Sequence, residues 1–481
     1  MCIACRRGFL AAIAAGTASR LISAPNALAQ PAATAPAARV AAGGPARDEF
    51  VIKNSYVITM DSRLGDLAIG AVHVRDGVIV DVAPSLDRPG AEVIDGTGMI
   101  VLPGLIDTHW HMWHTLFRSF AGDAAETGFF PTITRFAKSM TADDMYQSTR
   151  LAGAEAVAAG ITTVHDWCHN IRSREHAEAD IQALRDVGLR ARWSFGQAID
   201  QPLSQIIRLD DLRALHSNWS SYSNGGLISM GMAWRGMFRH GYVPPEIYRN
   251  EFDTARQLGL PISAHIGSIA NEAFGDVIAH ADAGFLGPDV NVVHATAASQ
   301  ADVDAIKRSG ANVSATVLSE MASGWGEPSL RQFMAAGIPV AVGVDSSVVV
   351  GSANLFTVLK AAISLLNMES QSEFALSPRR ALQLATVDAA SVLGLSGQVG
   401  SLTPGKRADI IAVSTNALNI GVFTDPVRML IECVTPDNID TVVIDGRILK
   451  RGGRLVEVDV PAVLSGARSS LASVRARAAW R

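Results

Sequence analysis

Five histidine and aspartate side chains stand at the ends of short apolar runs in this chain. His109 and His111 close the first of these runs, and His265, His294 and Asp345 each close another. Side chains two residues apart on a strand point the same way, so His109 and His111 can reach one ion together. An HxH triplet alone is a weak signal, because paired core or surface histidines also explain it. The same pattern at three further strand ends is hard to explain by chance.

Taken together, these residues predict a metal site. Burying an ionisable group at the end of an apolar strand is costly unless the group is paired or bound to a metal. For any single residue of the set, a hydrogen-bonded structural role is the alternative. Neutral imidazoles with one carboxylate suit zinc first, with iron, cobalt or manganese as alternatives, whereas calcium and magnesium prefer oxygen ligands. We therefore expect one divalent transition metal, which activates water for hydrolysis when it is bound.

The elements that would position these side chains alternate along the chain. From about residue 100 to residue 395, strand-like apolar runs alternate with helical stretches, as in repeated βα units. Eight such runs favour a closed α/β barrel of the (β/α)8 TIM type over an open doubly wound sheet. Chemistry in such barrels gathers at the C-terminal ends of the strands, where the polar residues stand. The predicted strands are residues 100–106, 162–165, 190–194, 228–232, 261–265, 290–294, 312–316 and 339–344.

Both ends of the chain carry a second pattern, of short alternating runs joined by tight turns. Asp76-Gly77 separates two such runs near the start, and Asp445-Gly446 follows another near the end. We expect the two ends to pair into one small β-sandwich, with the barrel inserted between them. The predicted ranges are a signal peptide at 1–29, a flexible leader at 30–48, the β-sandwich at 49–100 and 398–460, the hydrolase barrel at 101–397 and a C-terminal helix or tail at 461–481.

The first residues predict export from the cytoplasm. Arg6 and Arg7 precede a weakly hydrophobic, alanine-rich run, and the triplet 27–29 before Gln30 has the small-x-small form of a signal-peptidase site. The paired arginines indicate the twin-arginine export machinery as a partner, and a periplasmic or secreted location. A short membrane anchor or a misassigned start is the alternative, although the apolar run is short for crossing a bilayer.

The amino-acid composition and net charge indicate which classes of partner the protein binds. The 481 residues are 48% hydrophobic and 18% charged with a net charge of -5, which is typical of a globular protein. No basic run offers a footprint for nucleic acid, so we expect a small-molecule substrate and no nucleic acid. We also expect a homo-oligomer. Beyond the predicted signal only Cys168 and Cys433 remain, too few and too far apart for a metal knuckle or a disulfide framework.

Two motifs carry a resemblance to a known family. Residues 103–111, which end in the HxH triplet, and the tail motif at 400–409 resemble the amidohydrolase superfamily, in particular its branch of triazine hydrolases and cytosine or adenosine-type deaminases. The resemblance covers nearly the whole chain after the signal. It implies a hydrolase of non-peptide carbon–nitrogen bonds, with His294 close to the reacting water and the substrate. The metal ligands that it implies are His109, His111, His265 and Asp345.

The resemblance also implies roles, and the chain departs from it at one position. Asp345 would accept a proton from the attacking water and pass it to the leaving nitrogen, while His294 would polarise the substrate carbonyl or an equivalent ring atom. No lysine ends the fourth strand at residues 233–235, where members with two metals carry one, so a single metal is favoured. Ser268 replaces the glutamate typical of deaminases in this branch, which favours an amide, urea or carbamate bond over ring deamination.

Further residues on the rim loops are tentative substrate contacts: His169, Glu320, Trp113 and Trp325. The alternatives are a loop-organising role for His169, a surface salt bridge for Glu320 and core packing for Trp113. The leading hypothesis is an exported hydrolase with one metal that acts on a non-peptide carbon–nitrogen bond. One alternative is a deaminase or dechlorinase of a nitrogen heterocycle, with Glu320 or a water replacing the absent acid. Another is a non-catalytic periplasmic protein that binds a metal or a solute.

Overall fold

The structure is a computed structural model that describes residues 49–237, 244–267 and 276–480. The predicted signal peptide and leader, together residues 1–48, lie outside these residues, and so does Ser268. None of the helices in the three ranges combines the length and the hydropathy that a membrane crossing requires.

The described residues form strands and helices in the following chain order. The strands are β1 (Phe50–Val57), β2 (Leu67–Arg75), β3 (Val78–Ala83), β4 (Glu92–Asp95), β5 (Met99–Pro103), β6 (Leu105–Trp110), β7 (Ile161–Ile171), β8 (Arg190–Gln197), β9 (Ile228–Trp234), β10 (Ile262–Ile266), β11 (Val290–His294), β12 (Asn312–Ala315), β13 (Val340–Val342), β14 (Ile410–Ser414), β15 (Ile439–Ile444), β16 (Arg447–Arg451) and β17 (Arg454–Leu455). The α-helices are α1 (Phe129–Ala137), α2 (Ala142–Ala158), α3 (Arg174–Val187), α4 (Leu209–Ser217), α5 (Trp219–Tyr222), α6 (Pro245–Gln257), α7 (Val277–Asp282), α8 (Gln300–Ser309), α9 (Val317–Ser323), α10 (Leu330–Ala336), α11 (Ser347–Val350), α12 (Leu355–Ser370), α13 (Pro378–Leu384), α14 (Val387–Val392), α15 (Pro426–Cys433) and α16 (Val460–Arg477).

Strands β6 to β13 form the predicted barrel. They follow one another in chain order around one sheet, and each is parallel to its neighbours. The sheet closes between β6 and the end of β13. There the amide of His111 donates to the Asp345 carbonyl at 2.7 Å, and the amide of Asp345 donates to the His109 carbonyl at 2.8 Å. The predicted α/β fold with a TIM-type barrel is thereby confirmed.

The first predicted barrel strand, residues 100–106, is wrong in its bounds. β5 ends at Pro103 and pairs with β14 and β1 in the other sheet, whereas the barrel begins with β6 at Leu105. Gly104 permits this switch, because a Cβ at its position would lie 2.1 Å from the hydroxyl oxygen of Thr162 at the start of β7. The single apolar run is therefore two strands in two sheets. The other seven predicted runs each overlap one barrel strand.

The two chain ends share the second sheet. Its strand order is β17-β16-β15-β14-β5-β1-β2-β3 with β4 beside β1, so the two ends meet where β14 pairs antiparallel with β5. Both predicted turns are present. Asp76 and Gly77 have φ of 54° and 77°, and Asp445 and Gly446 have φ of 54° and 78°, as type I′ hairpin turns require. The two ends thus form one β domain as predicted, with its strands in a single nine-stranded sheet. Its arrangement as a sandwich and its residue boundaries stay predictions.

The C-terminal residues support the rim of the barrel. They form a helix, α16, followed by a short segment that packs on α1. Arg135 of α1 donates to the carbonyl oxygens of Ala478 at 2.8 Å and Ala479 at 2.6 Å. The Trp480 ring lies 4.9 Å from the Phe136 ring of the same helix. These contacts fix α1, which lies in the long connection between β6 and β7 on the C-terminal side of the barrel.

Candidate active site and metal centre

Three ring nitrogens and one carboxylate oxygen meet at the C-terminal end of the barrel. Nε2 of His109 lies 3.2 Å from Nε2 of His265 and 3.4 Å from Oδ1 of Asp345, and Nε2 of His111 lies 3.4 Å from the same oxygen. Donor atoms that share one zinc ion at about 2.0–2.1 Å lie about 3 to 4 Å apart, so these separations suit a shared ion. His109, His111 and His265 form one group that could hold a metal, and His109, His294 and Asp345 form another. The four predicted ligands thus form one ligand cluster with His294 beside it, and the predicted divalent metal cofactor is confirmed.

Burial keeps the imidazoles of the ligand cluster in the neutral form that binds metals. Desolvation lowers the pKa of His109 and His265 well below the usual value, and it lowers the pKa of His111 to about 4. Nδ1 of His111 donates to the Trp167 carbonyl at 2.8 Å, which leaves the lone pair of Nε2 for a metal. Burial thus favours the neutral form of all three rings, and the hydrogen bond to Trp167 orients the ring of His111.

Strained backbone marks two residues of the site. His294 and Asp345 have φ of 73° and 67°, in the left-handed region that residues other than glycine rarely adopt. They stand at the end of β11 and shortly after β13, where the chain turns out of the barrel. The hydroxyl of Ser319 on α9 donates to Oδ2 of Asp345. This contact leaves Oδ1 of Asp345 facing His109 and His111.

A cavity of about 420 Å³ opens beside the ligand cluster. Its floor consists of His111, His265, His294 and Asp345. Aromatic rings form much of the wall. The Trp325 ring lies 6.0 Å from the Phe130 ring, nearly parallel at 23°, and 5.2 Å from the His294 ring. Walls of this kind suit a planar aromatic or heteroaromatic group.

Of the four tentative substrate contacts, His169 and Trp325 line the cavity, whereas Trp113 and Glu320 do not. The indole N–H of Trp113 donates to Nδ1 of His169 at 3.2 Å, so Trp113 orients that histidine from behind. Nδ1 of His169 also lies 3.4 Å from the carbonyl oxygen of Trp167. Glu320 is fully buried against His294, so the surface salt bridge predicted for it is wrong. It does not line the cavity, and its contact with substrate stays a prediction.

The structure adds cavity residues that the sequence pattern did not single out. Phe129 and Phe130 begin α1, and Gln197 and Arg235 stand at the ends of β8 and β9. All four residues end or follow barrel strands, and such segments carry the substrate-binding residues of these barrels. Their position in the sequence could therefore have indicated them. Arg235 forms an ion pair with the buried Glu251, so most of its charge is already compensated in the wall.

Comparison with protein families shows which family the chain belongs to. The amidohydrolase family matches residues 100–449, which is most of the chain. The chain therefore belongs to the amidohydrolase family, as its motifs indicate. It is a metal-dependent enzyme that hydrolyses non-peptide carbon–nitrogen bonds, and the alternative of a non-catalytic binding protein is not supported.

Curated relatives cover nearly the whole chain. A 5'-deoxyadenosine deaminase of Methanosarcina mazei is 28% identical over 449 residues, which are 89% of this chain and 99% of the relative. A 5-methylthioadenosine/S-adenosylhomocysteine deaminase of Desulforudis audaxviator is 27% identical over 430 residues, which are 86% of this chain and 96% of that relative.

Solved structures share the fold. An adenosine deaminase from Xanthomonas campestris with bound zinc has a TM-score of 0.76 at 21% identity, covering 89% of this chain and 99% of that one. An atrazine chlorohydrolase from Arthrobacter aurescens complexed with zinc has a TM-score of 0.76 at 22% identity, covering 88% of this chain and 100% of that one. At these identities the likeness shows the fold alone.

The ligand cluster generates a prediction about metal content. The purified protein is expected to hold about one zinc ion per chain, and His265→Ala is expected to lose most of it, because three donors bind less tightly than four. Mass spectrometry of the metal after dialysis measures both. His216→Ala, which removes a histidine from the last turn of α4, is the matched control and should keep its zinc. Full zinc content in His265→Ala would contradict the ligand assignment.

Proposed function

We propose that the protein hydrolyses a carbon–nitrogen bond of the amide, urea or carbamate type beside a planar aromatic group of a small molecule, with zinc as cofactor. The observation that carries this proposal is the position of Asp345 and His294 on the floor of an aromatic-walled cavity, where Asp345 belongs to the ligand cluster and His294 lies beside it. The Phe130 and Trp325 rings in the cavity wall support a substrate with a planar aromatic group. The zinc bound by the Xanthomonas campestris and Arthrobacter aurescens enzymes supports the choice of metal.

Two side chains of the cavity floor have different roles in the proposed reaction: Asp345 transfers a proton, and His294 stabilises negative charge. When zinc is bound it activates the attacking water. Asp345 accepts one proton from that water as the new carbon–oxygen bond forms. The same proton passes to the leaving nitrogen as the carbon–nitrogen bond breaks, so Asp345 returns to its starting state. His294 stabilises the negative charge that develops on the substrate oxygen.

A second candidate is deamination or dechlorination of a nitrogen heterocycle. The relatives named as deaminases and the solved atrazine chlorohydrolase favour it. Ser268 opposes it, because deaminases of this branch typically carry a glutamate at that position to move protons to the ring nitrogen. The products separate the two reactions: an arylamine with an acid or carbon dioxide from the first, and ammonia or chloride lost directly from a ring in the second.

Asp345→Asn tests the proposed reaction. In a screen of aryl amides, ureas, carbamates and amino- or chloro-heterocycles, the zinc-loaded wild type is expected to turn over a member of the first three groups. Asp345→Asn is expected to lower kcat by at least about 100-fold, because an amide cannot take the proton of the water. Chromatographic analysis of the products and metal analysis of each variant give both readouts.

Asp210→Asn is the matched control for this substitution, since that carboxylate is fully exposed on α4. Its turnover should equal that of the wild type. The proton-transfer role is refuted if Asp345→Asn turns over at a near-normal rate with a normal metal content. Release of ammonia or chloride from the heterocycles alone would replace the first candidate by the second.

The aromatic wall generates a prediction about specificity. Trp325→Ala is expected to raise KM for an aryl substrate by roughly tenfold, because a lost ring contact of about 1.4 kcal/mol corresponds to that factor. KM for the matching alkyl substrate should change little. Steady-state kinetics with the two substrates measure the difference, and Phe374→Ala, a ring that is 82% exposed, is the control. An equal change for both substrates would contradict a wall that selects aromatic groups.

We also propose export of the precursor by the twin-arginine machinery to the periplasm or the medium, on the strength of Arg6, Arg7 and the triplet before Gln30. Replacing both arginines by lysine is expected to leave uncleaved precursor in the cytoplasm, while the wild type is recovered outside it with Gln30 as its first residue. Cell fractionation and N-terminal mass spectrometry measure both, and equal export of the two forms would count against the proposal.

The homo-oligomer likewise stays a proposal, for which light scattering is the test.

A further inference from the structure

Glu320 is a buried carboxylate whose one ion-pair partner in the described residues is a histidine of the cavity floor. Its side chain is fully buried, and its Oε1 lies 3.2 Å from Nδ1 of His294. No arginine or lysine of the described ranges pairs with it. Burying a carboxylate is costly unless hydrogen bonds or a counter-charge compensate it. The position therefore requires an explanation that involves His294.

The hydrogen bonds around Glu320 determine where the His294 ring carries a hydrogen. Oε1 of Glu320 accepts from the amide of Thr316 at 2.8 Å and from the hydroxyl of Thr316 at 3.2 Å. The same hydroxyl oxygen lies 3.0 Å from Nδ1 of His294. The Thr316 hydroxyl can donate or accept, whereas a carboxylate oxygen of Glu320 only accepts. The contact between that oxygen and Nδ1 therefore places a hydrogen on Nδ1.

The other ring nitrogen, Nε2, is the one left for the cavity. Glu320 lies on the other side of the ring, with its Oε1 3.2 Å from Nδ1. A carboxylate that accepts from Nδ1 of a catalytic imidazole fixes the hydrogen and the orientation of the ring in the same way in serine hydrolases.

We propose that Glu320 is the positioning residue of His294, holding the hydrogen on Nδ1 and the orientation of the ring while Nε2 faces the cavity. This inference rests on the proposed hydrolysis, in which His294 faces the substrate oxygen. Glu320 itself neither gains nor loses a proton in the step. Its neighbour Ser319 holds Asp345 from the same helix, so α9 supports both side chains that act on the substrate.

A purely structural role for Glu320 predicts a different experimental result. By accepting from the Thr316 amide, Glu320 also ties down the start of α9. Loss of that contact would lower stability and the amount of folded, metal-loaded enzyme, with no specific effect on kcat per folded site. Glu320→Gln separates the two roles, because its amide oxygen can still accept from Thr316 and from Nδ1 while the charge is removed.

The kinetic test compares Glu320→Gln with Glu327→Gln, which removes the same charge from an exposed position on the same connection. With the best substrate of the screen, Glu320→Gln is expected to lower kcat by roughly 10- to 100-fold with KM and zinc content nearly unchanged. Glu327→Gln should match the wild type. A Glu320→Gln enzyme with wild-type kcat, or one whose loss follows its zinc or folded content, overturns the inference.

A spectroscopic test does not depend on turnover. In wild-type protein with ¹⁵N-labelled histidine, the Nδ1 signal of His294, assigned by its loss in His294→Gln, is expected to show a bonded hydrogen. A bare Nδ1 overturns the inference whatever the substrate is. If the screen finds no carbon–nitrogen substrate but Nδ1 is protonated, the proposed function fails while the Glu320 contact stands. If turnover is found and Nδ1 is bare, only the Glu320 assignment fails.

Discussion

The seam between β6 and β13 is the constraint on which the rest of the site depends. The two backbone hydrogen bonds that close the barrel join His109 and His111 to Asp345. The contacts that close the barrel therefore also position three of the metal ligands. Asp107 reinforces the seam, since its carboxyl group accepts from the amides of His109 and Val344, both at 3.0 Å. A larger residue than Gly343 would break it, because a Cβ there would lie 2.6 Å from the His109 carbonyl oxygen.

Closing the barrel in this way removes several polar rings almost entirely from water. The rings of His109, His111 and His265 lie 4.7 to 5.2 Å from one another, and desolvation lowers the pKa of each. Removing such groups from water opposes folding. A bound metal compensates this cost, because its binding free energy adds to the stability of the folded state alone. A metal bound in the ligand cluster would therefore also stabilise the folded state.

The sequence was sufficient for features that follow from regular geometry. Side chains two apart on one strand, and polar residues at the ends of parallel strands, are forced to the same rim, which is why the ligand cluster could be predicted. The switch of sheets at Gly104 could not, because the apolar run is continuous and only the approach to Thr162 divides it. The partner of Glu320 was equally hidden, since His294 lies 26 residues earlier in the chain and only the tertiary fold brings the two together.

The metal ligands and the side chains that support the site lie in different parts of the fold. This separation is relevant to the kind of bond that the site is suited to cleave. The ligands stand at strand ends, whose positions the barrel fixes, whereas Ser319, Glu320 and Phe130 belong to helices in the connections, which can change without disturbing the metal centre. An acid three residues after His265 would follow β10, whereas Glu320 follows β12 and acts through His294. A carboxylate that acts through an imidazole on a substrate oxygen suits hydrolysis of a carbonyl compound, whereas protonation of a ring nitrogen needs an acid that touches the ring.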